Sequence, residues 1–207
     1  NFLISGGTGF VGRALTHELV QKDHAVVILS RRADFPRPET AVSYLKWSAE
    51  PAPALVKAVE RCDCVVNLAG EPIASGRWTR FRKEAIIQSR TRATRALVEA
   101  IAQAKKKPEA FISASAVGFY GERGNEEISE KSSIGLGFLS ETCRRWEEEA
   151  QRAERAGARL VVLRIGVVLG KGGGALEKML VPFRFYLGGP VGSGRQWLSW
   201  KILQMTF

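Results

Sequence analysis

Gly6-Gly7-Thr8-Gly9-Phe10-Val11-Gly12 follows the first apolar run of the chain, Phe2 to Ser5, and opens its first amphipathic stretch, Val11 to Lys22. The run reads as a strand and the stretch as a helix. A Gly-x-x-Gly-x-x-Gly pattern between a strand and a helix is a phosphate-binding turn. Gly6 lets the chain turn sharply, Gly9 leaves room for a diphosphate, and Gly12 lets helix and strand pack closely. The anion meets unpaired backbone N–H groups at the positive end of the helix dipole. Thr8, Phe10 and Val11 belong to the same predicted site.

Outward from this turn, β-rich apolar runs alternate with helical stretches. Strands are expected at Ala25 to Ser30, Tyr44 to Trp47, Cys64 to Leu68, Ala110 to Ala114 and Arg159 to Val168. Helices are expected at Ala54 to Glu60, Trp78 to Lys106 and Phe138 to Ala156. Continuous hydrophobicity in the strands means that both faces of the sheet are covered. Strand–helix alternation makes it parallel with right-handed crossovers. The predicted fold is α/β, a Rossmann-type doubly wound parallel sheet with helices on both faces, over residues 1–170. After Leu169 come two glycine clusters, Gly170 to Gly174 and Gly188 to Gly194, around a helix near Ala175 to Phe183. Residues 171–207 read as the start of an incomplete substrate lobe.

Cofactor choice is read at the end of the second strand. An Asp or Glu there accepts hydrogen bonds from the adenosine ribose and selects NAD. The strand here ends Leu29-Ser30-Arg31-Arg32, with no carboxylate before Asp34. A hydroxyl and two forked, permanently charged guanidiniums suit a 2′-phosphate. NADP is the expected cofactor.

Bulk properties bound the rest. The 207 residues are 45% hydrophobic, enough for one ordinary domain, and no apolar run is long enough to cross a bilayer. Phe2 to Ile4 lead straight into the glycine turn, so no signal peptide is expected. Cys62, Cys64 and Cys143 read as reduced buried thiols, which points to the cytoplasm. His17 and His24 receive no role, and no metal site is expected. Of the net charge of +10, the stretch Gly76 to Lys107 supplies +8 through ten basic and two acidic residues. A basic helix can bind a polyanion, meet an acidic partner or simply be solvated. The solvated face is favoured over nucleic acid. A small-molecule substrate is the expected partner, and a homodimer is left open.

With these residues in view, the chain resembles the extended and atypical short-chain dehydrogenase/reductases. More narrowly, it is similar to the epimerase family often labelled NAD-dependent epimerase/dehydratase or nucleoside-diphosphate-sugar epimerase. The matching runs are GGTGFVG (Gly6 to Gly12), NLAGEPI (Asn67 to Ile73), SASAVGFYG (Ser113 to Gly121), VLRIGVVLG (Val162 to Gly170) and PFRFYLGGPVGSGRQWLSW (Pro182 to Trp200). The resemblance implies that Leu68, Ala69 and Gly70 lie near adenosine and diphosphate, with Ser113 and Ala114 at the carboxyl edge of the fifth strand. It implies that Ser115 orients a substrate oxygen, and that Arg164, Gly166 and Val167 lie beside the nicotinamide.

The resemblance breaks at the catalytic dyad. Such enzymes usually carry Tyr-x-x-x-Lys on the helix after the fifth strand, the tyrosine as acid/base and the lysine on the nicotinamide ribose. Aligned through Glu147, those positions are Leu139 and Cys143. Leucine cannot transfer a proton and a neutral thiol is not a cation. Tyr120, Glu141 and Arg144 are the nearest ionisable substitutes by sequence, Tyr120 the foremost. Residues 201–207 also depart from the family pattern, which suggests a truncated or frameshifted product. Three functions remain in view: an NADP-dependent oxidoreductase or epimerase acting on a small hydroxyl- or carbonyl-bearing substrate such as a nucleotide sugar, a non-catalytic NADP(H) sensor, and a polyanion binder using the basic helix.

Overall fold

β1 (Phe2–Ser5), β2 (Val26–Ser30), β4 (Cys64–Asn67) and β5 (Ala110–Ala116) are short apolar runs that form the middle of one six-stranded sheet. β3 (Val42–Lys46) and β6 (Arg159–Ile165) close its two edges. The strand order is β3-β2-β1-β4-β5-β6, and every neighbouring pair is parallel. The computed structural model describes residues 1–32, 41–190 and 192–203. This is the doubly wound Rossmann-type architecture.

Alternation along each strand divides the core in two. Leu3, Leu29, Val65 and Phe111 face α2 (Pro53–Glu60), α3 (Arg80–Gln103) and α4 (Phe138–Arg155), where Leu55, Leu97, Ile101 and Ala150 complete the larger cluster. Ile4, Val26, Ile28 and Val66 face the other way, onto Leu15, Leu19 and Val20 of α1 (Phe10–Gln21). Filling both faces is what the uninterrupted hydrophobic runs require.

Several ends differ from expectation. α3 begins at Arg80 because the Thr79 side chain caps it, accepting from the Arg82 N–H at 3.2 Å. It stops at Gln103, since Ala104 is already extended. β5 runs two residues further than the sequence suggests and passes into a 3-10 turn, Val117–Tyr120. The run Arg159 to Val168, read as one strand, is two. It breaks at Gly166, and β7 (Val167–Gly170) leaves the main sheet to pair in parallel with β8 (Trp200–Ile202). A Cβ on Gly166 would lie 2.7 Å from the Ser199 carbonyl oxygen, so this crossing needs a residue without a side chain. The expected boundary at residue 170 therefore falls at the end of β7, whose partner strand is at 200–202. α5 (Gly174–Arg184) joins the two. Much of this last part is apolar and exposed, Tyr186 at 98% and Trp197 at 79%.

The basic run is not purely a charged face. Trp78 and Phe81 sit within it; Trp78 packs edge-on against Phe138, and Phe81 is 85% exposed beside Arg80. Among the described residues no helix is long and apolar enough to cross a membrane.

Candidate functional site

The register aligns the carboxyl ends of the central strands. Ser5 of β1 pairs with Asn67 of β4, Asn67 with Ser113 of β5, and Ser115 with Arg164 of β6. In open parallel sheets of this kind, ligands occupy the crevice beyond those ends.

The glycine turn leaves β1 at this edge. Gly6 has φ +75°, and a Cβ there would come within 2.7 Å of the Leu68 carbonyl. Gly9 is the N-cap of α1, and its N–H donates to Gly6 O at 2.9 Å. The first intrahelical bond runs from Arg13 N–H to Gly9 O at 2.9 Å. The amides of Phe10, Val11 and Gly12 thus lie ahead of the helical ladder. No side chain caps them, and no acidic residue stands in the first turn. A Cβ on Gly12 would fall on Gly6 O and 2.7 Å from Gly7 Cα, so its bareness brings the helix against the turn itself rather than against the strand. Thr8 is exposed, whereas the Phe10 ring lies on the glycine loop that follows β7; a Cβ on Gly174 would be 2.7 Å from it.

At the next strand tip Ser30 is buried. Its carbonyl accepts from Trp47 N–H at 2.8 Å and its hydroxyl from Arg32 N–H at 3.3 Å. Arg31 and Arg32 are exposed and form no ion pair among the described residues, outside which Asp34 lies.

The Leu68-Ala69-Gly70 segment is fixed by a residue the motif reading gave no role. Asn67 is fully buried. Its Oδ1 accepts from the Ser5 hydroxyl at 2.6 Å and from Ala69 N–H at 3.3 Å, and its Nδ2 donates to Thr94 Oγ1 at 2.8 Å. Leu68 N–H donates to Ser5 O at 2.9 Å. One amide side chain thus ties β1, β4, α3 and the loop together. Its signal in the sequence is an asparagine ending an otherwise apolar strand.

Ser113 and Ala114 are buried at the end of β5, and Ser115 enters a polar cluster. The Ser115 hydroxyl donates to Glu147 Oε1 at 2.5 Å. Glu147, on α4, is held bidentately by Arg164, whose Nε lies 3.0 Å from Oε1 and whose Nη2 lies 2.8 Å from Oε2. Arg164 Nη1 donates to Tyr120 Oη at 2.9 Å, and its guanidinium stacks 3.5 Å from the centre of the Phe119 ring. The hydrogen bonds to Glu147 push the Arg164 pKa up. A hydroxyl has one proton, so Ser115, having given it to Glu147, can only accept. Glu147 entered the sequence reading merely as an anchor for alignment; no local signal marks it as the hub. Gly166 and Val167 are held by the returning chain, Val167 N–H donating to Ser199 O at 2.8 Å. Two further contacts link the last segment to loops at this edge: Lys178 Nζ donates to Ala74 O at 2.8 Å, and Trp197 Nε1 to Asn125 Oδ1 at 2.8 Å.

The profile of the NAD dependent epimerase/dehydratase family matches residues 2–185. The chain belongs to that family. An epimerase family protein of Bacillus subtilis, YfhF, is 43% identical over 201 residues, covering 97% of this chain and 65% of its own length. One from Staphylococcus saprophyticus, SSP1921, is 41% identical, covering 97% of this chain and 66% of its own. The crystal structure of the human epimerase family protein SDR39U1 (isoform 2) with NADPH superposes at TM-score 0.80 with 35% identity, covering 98% of this chain and 65% of that one. A nucleoside-diphosphate sugar epimerase from Corynebacterium glutamicum superposes at 0.79 with 36% identity, covering 98% of this chain and 41% of that one. The chain therefore spans just under two thirds of the curated relatives it matches.

Leu139 and Cys143 of α4 occupy the positions at which the resemblance led us to look for a Tyr-x-x-x-Lys pair. Leu139 is half-buried, and a Cβ on Gly118 would lie 3.2 Å from it. Cys143 is 4% exposed, with its Sγ 3.7 Å from Ala116 O. Burial pushes that thiol up. Leu139 has no ionisable group, and the neutral Cys143 thiol, directed at Ala116 O, is not a cation. Tyr120 is the ionisable group that does reach the cluster. Glu141 and Arg144 pair with each other at 2.7 Å, both more than a third exposed on α4.

Proposed function

We propose that the chain binds NADP(H) across the carboxyl edge of its sheet, as the nucleotide-binding part of an epimerase-family oxidoreductase or epimerase for a small hydroxyl- or carbonyl-bearing substrate such as a nucleotide sugar. The observation that carries this is the uncapped first turn of α1 behind Gly6, Gly9 and Gly12. Three amides outside the helical ladder, with no carboxylate beside them, want an anion.

The residues fit the dinucleotide. Gly6, Thr8, Gly9, Phe10, Val11 and Gly12 would hold the diphosphate, and Ser30, Arg31 and Arg32 the 2′-phosphate. Leu68, Ala69 and Gly70, set by Asn67, would form the wall beside the adenosine. Ser113, Ala114, Arg164, Gly166 and Val167 would frame the nicotinamide end. When bound, the nicotinamide supplies reversible hydride transfer. The relatives solved with NADPH, or with NAD in the case of MoeE5, support a cofactor of this class. Ser115, an acceptor with its rotor fixed by Glu147, would orient a substrate hydroxyl.

A non-catalytic NADP(H) sensor is the second reading, favoured by one observation: Leu139 and Cys143 stand where the acid/base and its cation belong. Calorimetric titration with NADPH and with NADH tests the cofactor reading. NADPH binds more tightly, and Arg31→Ala with Arg32→Ala removes about tenfold or more of that preference, the worth of one charge-assisted hydrogen bond. A preference for NADH overturns it. Turnover with any substrate, reduced by Ser115→Ala, decides for the enzyme; tight binding without turnover decides for the sensor.

A further inference from the structure

The dyad pattern puts a positive charge at residue 143 on α4, where this chain has a buried thiol. A guanidinium from another helix packs on the same stretch of α4. Arg90 of α3 is 8% exposed, and its guanidinium lies 5.2 Å from the ring centre of Trp146, one turn along α4 from Cys143. It is close enough to Cys143 for each to influence the other's ionisation. A Cβ on Gly70 would lie 3.0 Å from Arg90 Cζ and 3.1 Å from Nη2, so the guanidinium packs directly on the bare backbone of the loop after β4.

Two features set Arg90 apart from an arginine that merely braces a helix. It forms no ion pair among the described residues; Glu71, whose carbonyl it holds, gives its carboxylate to Arg82 at 2.8 Å. Nη1 makes both of its hydrogen bonds, to Glu71 O at 3.1 Å and Ile86 O at 3.0 Å. Nε and Nη2 make none among the described residues, yet neither is among the sealed orphan atoms, which are Arg82 Nε, Trp146 Nε1 and Glu149 Oε2. Removing a cation from water without a counter-ion is costly, and carbonyl oxygens with one aromatic face offset only part of it. An anionic ligand would complete the arrangement. The notable place is beside Gly70 and Cys143, within reach of the loop assigned above to the dinucleotide.

We propose that Arg90 is a cofactor-anchoring residue, supplying from α3 the positive charge that the family pattern carries at position 143 of α4 and offering its two unpaired nitrogens to the ribose–diphosphate of the nucleotide. This rests on the NADP(H) reading above. It gives a reason for a buried arginine without a carboxylate, and for a glycine at position 70.

The test is NADPH affinity by calorimetry for the wild type, Arg90→Gln and the double variant Arg90→Gln with Cys143→Lys, each first shown to be folded by circular dichroism. Arg90→Gln weakens NADPH by about tenfold or more, as loss of a charge-assisted hydrogen bond should. The double variant recovers most of that loss, because the lysine restores the charge from the other helix. Recovery is the readout that a mere loop-bracing role would not move. If Arg90→Gln does not fold, Arg90→Met, which keeps the stem packed on Trp146, takes its place in both variants. Arg90→Gln binding within twofold of the wild type, or a folded double variant without recovery, overturns the assignment of Arg90 alone. A folded wild type that binds neither NADPH nor NADH overturns the cofactor reading instead.

Discussion

Ser115 and Glu147 lie thirty-two positions apart in sequence and 2.5 Å apart in space, joined by a buried hydrogen bond between the end of β5 and the middle of α4. The bond makes the carboxyl edge of the sheet and the helix above it one unit, because the same carboxylate grips Arg164 on β6. Three elements are thereby locked around one ion pair. Its cost in desolvation is offset only while every partner is present.

Removing either member therefore destabilises the fold. Ser115→Ala leaves Glu147 one donor short and costs about 1–3 kcal/mol. Glu147→Ala leaves a partly exposed guanidinium on β6 without its partner and costs about 3 kcal/mol, the exposure of Arg164 keeping it at the low end for a broken buried pair. Urea unfolding of both variants checks the order, and a Glu147→Ala loss smaller than that of Ser115→Ala contradicts it.

The glycines of the turn separate binding from folding. At Gly9 the backbone is ordinary, and a Cβ would stand 3.1 Å from Gly6 O. Gly9→Ala keeps its melting temperature to within about 1 kcal/mol of stability but weakens NADPH about tenfold, since the methyl group stands where the anion approaches. At Gly12 the methyl group falls on Gly6 O, so Gly12→Ala loses about 2–3 kcal/mol by overpacking before any ligand is added. Thermal melts with and without NADPH distinguish the two.

Asn67→Ala strips a sealed site of three hydrogen bonds at once. The orphaned Ser5, Thr94 and Ala69 groups put the cost at about 2–4 kcal/mol. Amide hydrogen exchange at Ala69 rises more than exchange in β2, to which the hydrogen bonds of this side chain do not run.

Glu141 sets an acid-side dependence. Hydrogen bonds from Arg144 and then Arg145 lower its pKa to about 2 from the ordinary 4.5. The depressed value means that the folded chain favours the carboxylate. The stabilisation is complete above pH 4.5 and fades as pH falls toward 2. Exposed pairs of this kind contribute only weakly, because water screens them. Glu141→Gln is expected to lower stability slightly at pH 7 and to converge on the wild type as pH falls toward 2, which flattens the fall in stability between, as read by urea midpoints.

The glycine turn and the alternation of apolar runs were legible because they rest on local rules: a bare backbone where an anion meets amides, and a continuous apolar pattern where a strand is covered on both faces. The Gly166 break was not, because a glycine within an apolar run carries no local sign that its far side meets Ser199. Nor was Ser115's partner, since nothing near residue 115 points to residue 147.

The sequence by itself determined the order of elements, the sheet's parallel sense, the uncapped turn, the arginine pair after β2 and the absence of a tyrosine and a lysine at 139 and 143. Only the tertiary structure decided which polar side chains meet. It joined Ser115, Glu147, Arg164 and Tyr120 into one cluster, placed Asn67 at a four-way junction, and brought Arg90 against Gly70 and the Trp146 ring. The reason is that helical and extended periodicity act over a few residues, whereas a buried charge or amide is satisfied by whichever partners the folded sheet carries to it from distant parts of the chain.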